Sequence, residues 1–187
     1  GDPVPIEASW SSLRYLLTAP VGRARLLTSK LAVGLTHVLI VLLLLPAWSF
    51  VVGALAYGVG PFTIPGGGTL SLGELLPRVA VAVAYLFVAM LPIAGLAFLI
   101  GVGTETPLAA VGGALIVYIV SGILDTIDAL GDWRKALPGH YGRAWMDLLQ
   151  SDIDWTNMRH GVLWSLLWGL ALVALGYWRF SRRDVLS

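Results

Sequence analysis

The stretch Leu31–Tyr57, with the sequence LAVGLTHVLIVLLLLPAWSFVVGALAY, decides the fold because it contains no Lys, Arg, Asp or Glu. A bilayer's hydrocarbon core is about 30 Å thick, and roughly 20 apolar residues in a helix cross it. A helix also satisfies its own backbone N–H and C=O groups in lipid, where no water can do so. The stretch therefore predicts a membrane-spanning helix.

Three further intervals are similarly poor in charge and long enough to cross a bilayer: about 79–101, 107–126 and 161–178. Of the 187 residues, 57% are hydrophobic and 12% are charged, whereas soluble domains carry about 25% charged residues. This composition excludes a water-soluble globule and an intrinsically disordered chain. We therefore predict an all-α, multi-span membrane protein with four transmembrane helices, preceded by an amphipathic helix-turn-helix.

The first 30 residues are less apolar, but their leucines recur at helical spacing. They fall into two groups, Leu13, Leu16 and Leu17, then Leu26 and Leu27. Pro20 lies between the groups, and a proline disfavours helix in the residue before it. We expect two short amphipathic helices broken at Pro20.

The charge pattern predicts how the chain is divided and oriented. We expect a cytoplasmic amphipathic segment over 1–30, a transmembrane domain over 31–180 and a cytoplasmic tail over 181–187, with outer loops at 58–78 and 127–160. Seven of the twelve basic residues flank the two ends of the transmembrane domain: Arg14, Arg23, Arg25, Lys30, Arg179, Arg182 and Arg183. Basic residues accumulate on the cytoplasmic side of membrane proteins, so we expect both ends of this chain in the cytoplasm.

The sequence lacks the residues and motifs that several catalytic and binding functions require. There is no cysteine, no phosphate-binding G-x-x-x-x-G-K-[ST] loop, and neither a G-x-S-x-G nor an H-E-x-x-H motif. The formal net charge of +1 gives no reason to expect a nucleic-acid partner. We predict no catalytic residue, no metal site and no cofactor in this chain.

A few polar residues and prolines are open to two interpretations. His37 is ionisable within a span, but a neutral imidazole near the inner boundary explains it. Asp125 and Asp128 lie three apart, as a carboxylate pair would, and a solvated helix end is the simpler interpretation. Pro46 and Pro92 are expected to kink their helices or shape the bundle.

The first 30 residues resemble the cytoplasmic segment of ABC-2 type transporter permeases, E-x-x-x-G-T-L-x-x-L-L-x-x-P-V-S-R-x-x-L-L-x-x-K. The residues in register are Glu7, Leu13, Leu16, Leu17, Pro20, Val21, Arg23, Leu26, Leu27 and Lys30. Ser11, Ser12 and Gly22 stand where the family has Gly, Thr and Ser. The tail from Phe180 to Asp184 is similar to the family's F-x-R-R-D ending. Because such permeases generally have six spans, with this segment after the second, we expect two further spans ahead of residue 1.

The resemblance implies a permease subunit, an exporter in the bacterial cytoplasmic (inner) membrane, driven by a separate cytoplasmic ATPase that holds the ATP and magnesium. The amphipathic segment would be the coupling helix that docks in this ATPase. The residues expected at that contact are Glu7, Leu13, Arg14, Leu16, Leu17, Pro20, Arg23 and Arg25. A second copy of the chain, or a related permease, and membrane lipid are the other expected partners.

Small residues allow helices to approach closely in lipid. Ala109, Gly112 and Gly113 of the third span therefore suggest a contact between two permeases, or ordinary packing within one subunit. The main alternative function is a membrane scaffold or assembly subunit without transport activity of its own. An intramembrane enzyme or an ion-coupled carrier is less well supported, because the interiors of the spans carry neither its motifs nor its carboxylates.

Overall fold

A computed structural model describes residues 23–64, 67–104, 106–150 and 152–182. Its helices are α1 (Arg23–Tyr57), α2 (Leu72–Ala89), α3 (Leu91–Gly103), α4 (Pro107–Asp125) and α5 (Thr156–Arg182). Four stretches of the described residues are long and apolar enough to cross a membrane, with α2 and α3 together forming one of them. This confirms the predicted all-α, multi-span fold. Residues 1–22, which carry most of the predicted helix-turn-helix, lie outside the described residues.

Helix α1 begins at Arg23, eight residues ahead of the predicted span at Leu31. The last part of the predicted segment 1–30 is therefore the start of the membrane helix itself. Leu27 explains the extension, because its side chain is only 1% exposed and packs on α3. The helix also continues through Pro46 without interruption.

The connection between α1 and α2 is shorter than the predicted loop 58–78. Strands β1 (Phe62–Thr63) and β2 (Thr69–Leu70) form a small antiparallel hairpin in it. Helix α2 then begins at Leu72, seven residues ahead of the predicted 79. A capping box starts the helix there, since the Ser71 backbone N–H donates to Glu74 Oε2 at 2.9 Å.

The second span is broken at Met90, between α2 and α3. Pro92 explains the position of the break, because a proline has no N–H to donate to the carbonyl four residues earlier, and its ring crowds that turn. The expectation of a kink is thus met at Pro92, whereas α1 remains helical at Pro46.

Helices α3 and α5 make the most extensive contact between described helices, and glycines lie in it. A Cβ added to Gly95 would lie 3.1 Å from the Gly169 carbonyl oxygen, and one added to Gly176 would lie 2.7 Å from the Phe98 ring. Helix α4 packs on the other side of α3, with Ala110 and Ala114 buried. The three helices α3, α4 and α5 therefore form the core of the bundle, and α1 lies beside them.

The segment between α4 and α5 contains two 3₁₀ helices, Asp128–Ala136 and Ala144–Leu149. Sequence analysis predicts a loop here from 127 to 160, but α5 begins at Thr156. The Thr156 backbone N–H donates to Asp154 Oδ1 at 2.8 Å, which satisfies one of the free donors at the helix start.

Candidate functional site

The first turns of α1 join the ends of α3 and α5 in an apolar cluster, called here the terminal cluster. Its buried residues are Leu27, Phe98 and Val102, with Leu31, Val173, Tyr177 and Phe180 packed around them. The Phe98 and Tyr177 rings lie 5.6 Å apart, and the hydroxyls of Thr28 and Tyr177 are hydrogen-bonded at 2.8 Å. These contacts place both ends of the described chain at one face of the bundle.

Basic side chains surround the terminal cluster. Arg25 is exposed in the first turn of α1. The Arg182 guanidinium lies 4.4 Å from the centroid of the Trp178 ring, a cation–π contact. Arg179 lies against Gly103 at the end of α3, where an added Cβ would be 2.8 Å from its Cζ. This face therefore carries positive charge, and the first turns of α1 are held there by the apolar contacts of the terminal cluster.

The predicted coupling residues are only partly within the described residues. Glu7, Leu13, Arg14, Leu16, Leu17 and Pro20 lie outside them. Arg23 is the first residue of α1, and Arg25 follows with its side chain exposed. The contact predicted for these eight residues stays a prediction.

The structure separates the three small residues predicted for helix packing. Gly113 faces its own subunit, since an added Cβ would lie 3.0 Å from Ile100 Cδ1. Gly112 has nothing within 4 Å of an added Cβ, and Ala109 is exposed. Of the two interpretations, packing within one subunit therefore fits Gly113, and a contact with another chain remains open to Ala109 and Gly112.

The opposite end of the bundle is closed by the segment between α4 and α5. Asp125 Oδ1 and His140 Nδ1 form a hydrogen bond, with both side chains about a quarter exposed. Arg134 Nη1 donates to Asp128 Oδ1 at 2.8 Å and to the Asp125 carbonyl at 3.3 Å. The two aspartates thus hold different partners rather than forming a carboxylate pair.

Two helices hold this segment further along. The Tyr85 hydroxyl of α2 donates to the Tyr141 carbonyl at 2.5 Å, and the Tyr141 ring stacks on His160 of α5. Arg78 Nη1 donates to the carbonyls of Leu148 and Gln150, at 2.8 Å each. Leu148 is 1% exposed, so the second 3₁₀ helix packs into the protein.

Trp168 shows how deeply the segment folds back. Its indole Nε1 donates to the Ala136 carbonyl at 2.8 Å. Trp168 lies twelve residues past Thr156, the start of α5, which is about 18 Å at 1.5 Å per residue. The segment therefore enters the space between α4 and α5.

Three further ionisable groups, His37, Asp132 and Asp154, have local partners. His37 Nδ1 donates to the Val33 carbonyl one turn earlier, at 2.8 Å. A hydrogen bond from Lys135 lowers the pKa of Asp132, and hydrogen bonds from the Thr156 hydroxyl and backbone lower the pKa of Asp154. Over the described ranges, no three His, Asp or Glu side chains gather as ligands for a metal ion.

A cavity of about 290 Å³ separates α1 from α3 and α4. Leu35 and Val38 line it from α1, Ala94 and Phe98 from α3, and Leu115 from α4. Nearly all of its lining is apolar, and Lys30 lies on its border. Below the terminal cluster, α1 is therefore not packed tightly against the core.

Residues 5–121 match the family model described as "ABC-2 family transporter protein". This match covers well over half of the 187 residues, from the predicted amphipathic segment into α4. The chain belongs to the ABC-2 transporter family. As an ABC-2 family protein, it is a multi-pass transporter membrane component. No curated protein and no solved structure matches the chain.

Sequence reasoning on this ABC-2 protein missed two sets of residues. Gly161, Gly169 and Gly176 lie eight and seven apart on α5 and face α2 or α3, a spacing that could have been read as one helix face. The bond between Asp125 and His140 had no such signal, because it depends on how the intervening segment folds.

Proposed function

We propose that this chain is the permease subunit of an ATP-driven exporter in a bacterial cytoplasmic membrane. A separate cytoplasmic ATPase binds the segment 1–30 and supplies the energy. Family membership supports a transporter component, and the resemblance of the segment to the permease motif supports the ATPase contact and export.

The observation that carries the proposal is the continuity of α1. Arg23–Lys30 belong to the predicted coupling segment, and they form one helix with the membrane span up to Tyr57. An uninterrupted helix transmits a displacement of its first turn directly to the residues that follow. A partner that holds this turn differently in two nucleotide states would thereby shift the conformational equilibrium of the span.

The orientation of the proposal follows from charge. The exposed Arg25 and Arg182 lie at the face that carries both ends of the described chain, and basic residues favour the cytoplasmic side. We therefore place the terminal cluster in the cytoplasm and the segment between α4 and α5 outside. A second permease copy completes the transporter in this proposal.

Capture of the ATPase tests the contact. Tagged full-length protein, extracted from its native membrane, is expected to bring down an ATP-hydrolysing subunit. Arg25→Glu should reduce the captured ATPase activity at least about tenfold, because one reversed charge at an interface costs several kcal/mol. Arg159→Glu, which reverses the charge of another exposed arginine at the other end, should leave the captured activity unchanged. If the wild-type chain captures no ATPase, the scaffold function replaces this proposal.

A second experiment tests transmission along α1. These 187 residues contain no cysteine, so Val38→Cys, beside the cavity next to α1, introduces one maleimide target into them. ATP is expected to change its labelling rate in the assembled complex. Adding Ser29→Pro should abolish this change while the ATPase still binds, because proline breaks the helix, and Ser29→Ala should preserve it. An ATP response that survives Ser29→Pro would contradict transmission through α1.

A further inference from the structure

A groove of about 590 Å³, called here the α2–α5 groove, lies between these two helices and is separate from the cavity beside α1. The buried side chains of Tyr85 and Met158 form its floor. Val81 and Ala84 line it from α2 and Leu163 from α5, and these three residues are exposed. The groove therefore opens away from the bundle.

The lining of the α2–α5 groove suits hydrocarbon. Nearly all of the surface facing it is apolar. The groove follows α2 from Val81 to Val88, about 10 Å of helix, and both helices belong to stretches that can cross a membrane. Its volume lies within the range of about 300–1,000 Å³ usual for small-molecule sites. An acyl chain from the surrounding bilayer can therefore enter it sideways.

Arg159 lies at the mouth of the α2–α5 groove, in the first turn of α5. Its side chain is exposed, and no described residue forms a hydrogen bond or ion pair with its guanidinium. Because the lining is almost wholly apolar, Arg159 borders the groove with its hydrocarbon stem, and the charge lies beyond the edge. Trp155, beside it at the mouth, is a residue type that favours the membrane–water boundary. The mouth therefore lies at the level of lipid head groups.

We propose that the α2–α5 groove binds a zwitterionic phospholipid, with an acyl chain over Tyr85 and Met158 and the phosphate at Arg159. Hydrogen bonds from a guanidinium to a phosphate are charge-assisted and can be bidentate. The exposed Asp152 and Asp154 lie just ahead of α5, so a head group with a positive charge beside its phosphate suits this mouth better than a purely anionic one. The inference does not rest on the transport proposal, because lipid binding requires no ATPase.

Other occupants suit the α2–α5 groove less well. Water needs two to four polar partners, which the apolar lining does not offer. A helix of a second copy would cover the apolar surface, but it would also take Arg159 out of water and would have to supply a carboxylate. The acidic residues at this end of the helices, Glu74 and Asp125, already bond to Ser71 and His140.

Photolabelling with competition tests the site. The full-length protein in dodecyl maltoside is labelled with a phosphatidylethanolamine that carries a diazirine in its acyl chain, and the labelled peptides are identified by mass spectrometry. Dioleoylphosphatidylethanolamine should compete at least about tenfold better than dioleoylglycerol, which has no phosphate, the ratio expected for hydrogen bonds to a charged group. Equal competition by these two lipids would overturn the proposal. Stronger competition by dioleoylphosphatidylglycerol would overturn the zwitterionic head group.

Variants of Arg159 test the phosphate contact. Arg159→Met, which keeps a long side chain without a donor, should remove the preference for phosphatidylethanolamine over dioleoylglycerol, and Arg159→Lys should retain most of it. Arg143→Met changes another exposed arginine that does not line the groove, so it should leave the preference unchanged. A preference that survives Arg159→Met would overturn the proposal.

A pair of alanine variants tests whether the acyl chain lies in the α2–α5 groove. Ala84→Phe fills the groove from α2 and should reduce labelling of α2 and α5 severalfold. Ala171→Phe, at an exposed alanine of α5 that does not line the groove, should not. Labelling that is unchanged by Ala84→Phe would overturn the proposal. If chemical cross-linking shows that this variant loses a dimer instead, the groove is a contact between two copies.

Discussion

At the scale of single residues, the glycines of α5 make the sharpest prediction. A Cβ at Gly161 would collide with the Tyr85 hydroxyl and lie 2.8 Å from Tyr141 Cβ, while one at Gly112 would meet nothing within 4 Å. We expect Gly161→Ala to lower the free energy of unfolding by about 1–3 kcal/mol, as overpacking does. Gly112→Ala should be neutral or slightly stabilising. Thermal unfolding of the two variants in the same detergent measures both changes in stability. An unchanged unfolding midpoint for Gly161→Ala would contradict the described packing.

Asp154 gives a prediction of pH dependence. Hydrogen bonds from the Thr156 hydroxyl and backbone lower its pKa from the ordinary 3.8. A lowered pKa in the folded state stabilises the protein above pH 3.8, and this stabilisation is lost as the pH falls through the folded value. Thr156→Ala should raise the pKa of Asp154 towards 3.8. Carboxyl NMR titration in micelles measures the change, with Asp132 as the control whose pKa should stay the same. An unchanged pKa of Asp154 in Thr156→Ala would contradict the hydrogen bond from the Thr156 hydroxyl.

The sequence could indicate polar residues at the end of α4 but not their partners. Asp125 and Asp128 are both acidic and three residues apart, yet one bonds to His140 and the other to Arg134. These contacts join residues 15 and six positions apart through an irregular segment. Helical periodicity predicts neighbours at three or four residues, so it has no information on pairs of this kind.

At the scale of elements, Arg78 holds the second 3₁₀ helix to α2. Its two hydrogen bonds, to the Leu148 and Gln150 carbonyls, come from a charged donor, a type that contributes about 1.5–3 kcal/mol. Arg78→Gln should therefore make the adjoining segment at least about tenfold more sensitive to trypsin at the exposed Arg143. Arg159→Gln serves as the control for charge. Equal cleavage of the two variants would contradict the anchoring role of Arg78.

The existence of the long helices could be predicted because charges are expensive in hydrocarbon, and their absence marks the spans. The helix ends could not be placed as well. The charge pattern predicts spans that begin at residues 79 and 161, but Ser71 and Glu74 cap α2 and Asp154 caps α5, so both helices begin earlier. A charged residue in the first turn of a helix lies outside the hydrocarbon core, but it still belongs to the helix.

At the scale of the whole molecule, the open positions on α4 predict where a second copy binds. Ala109 and Gly112 face away from the subunit's own core. In membranes, Ala109→Cys or Gly112→Cys should form an intermolecular disulfide on mild oxidation, and none of these 187 residues is a competing cysteine. Leu167→Cys on α5, 56% exposed, should not. If only Leu167→Cys cross-links, the contact between copies lies on α5 instead.

The four-span architecture and the family were accessible from the sequence, because both depend on residues close together in the chain. The cavity of about 260 Å³ that is bordered by Ser121 was not, because it requires residues of α3, α4 and α5 and Pro138 to be placed together. The buried hydroxyl of Ser121 has no hydrogen-bond partner among the described residues, whereas that of Ser49 donates to a carbonyl of its own helix. Nothing in the sequence around the two serines predicts this difference.

The unequal lengths of the spans have a mechanical consequence. The apolar part of α1 has 31 residues and that of α4 has 18, which correspond to about 46 and 27 Å of helix. A hydrocarbon layer near 30 Å matches α4, so α1 must either lean or protrude. The tilt of a leaning α1 then depends on lipid acyl-chain length, and a thinner membrane increases this tilt. Membrane thickness thus sets the tilt of the helix that carries Arg25 in its first turn.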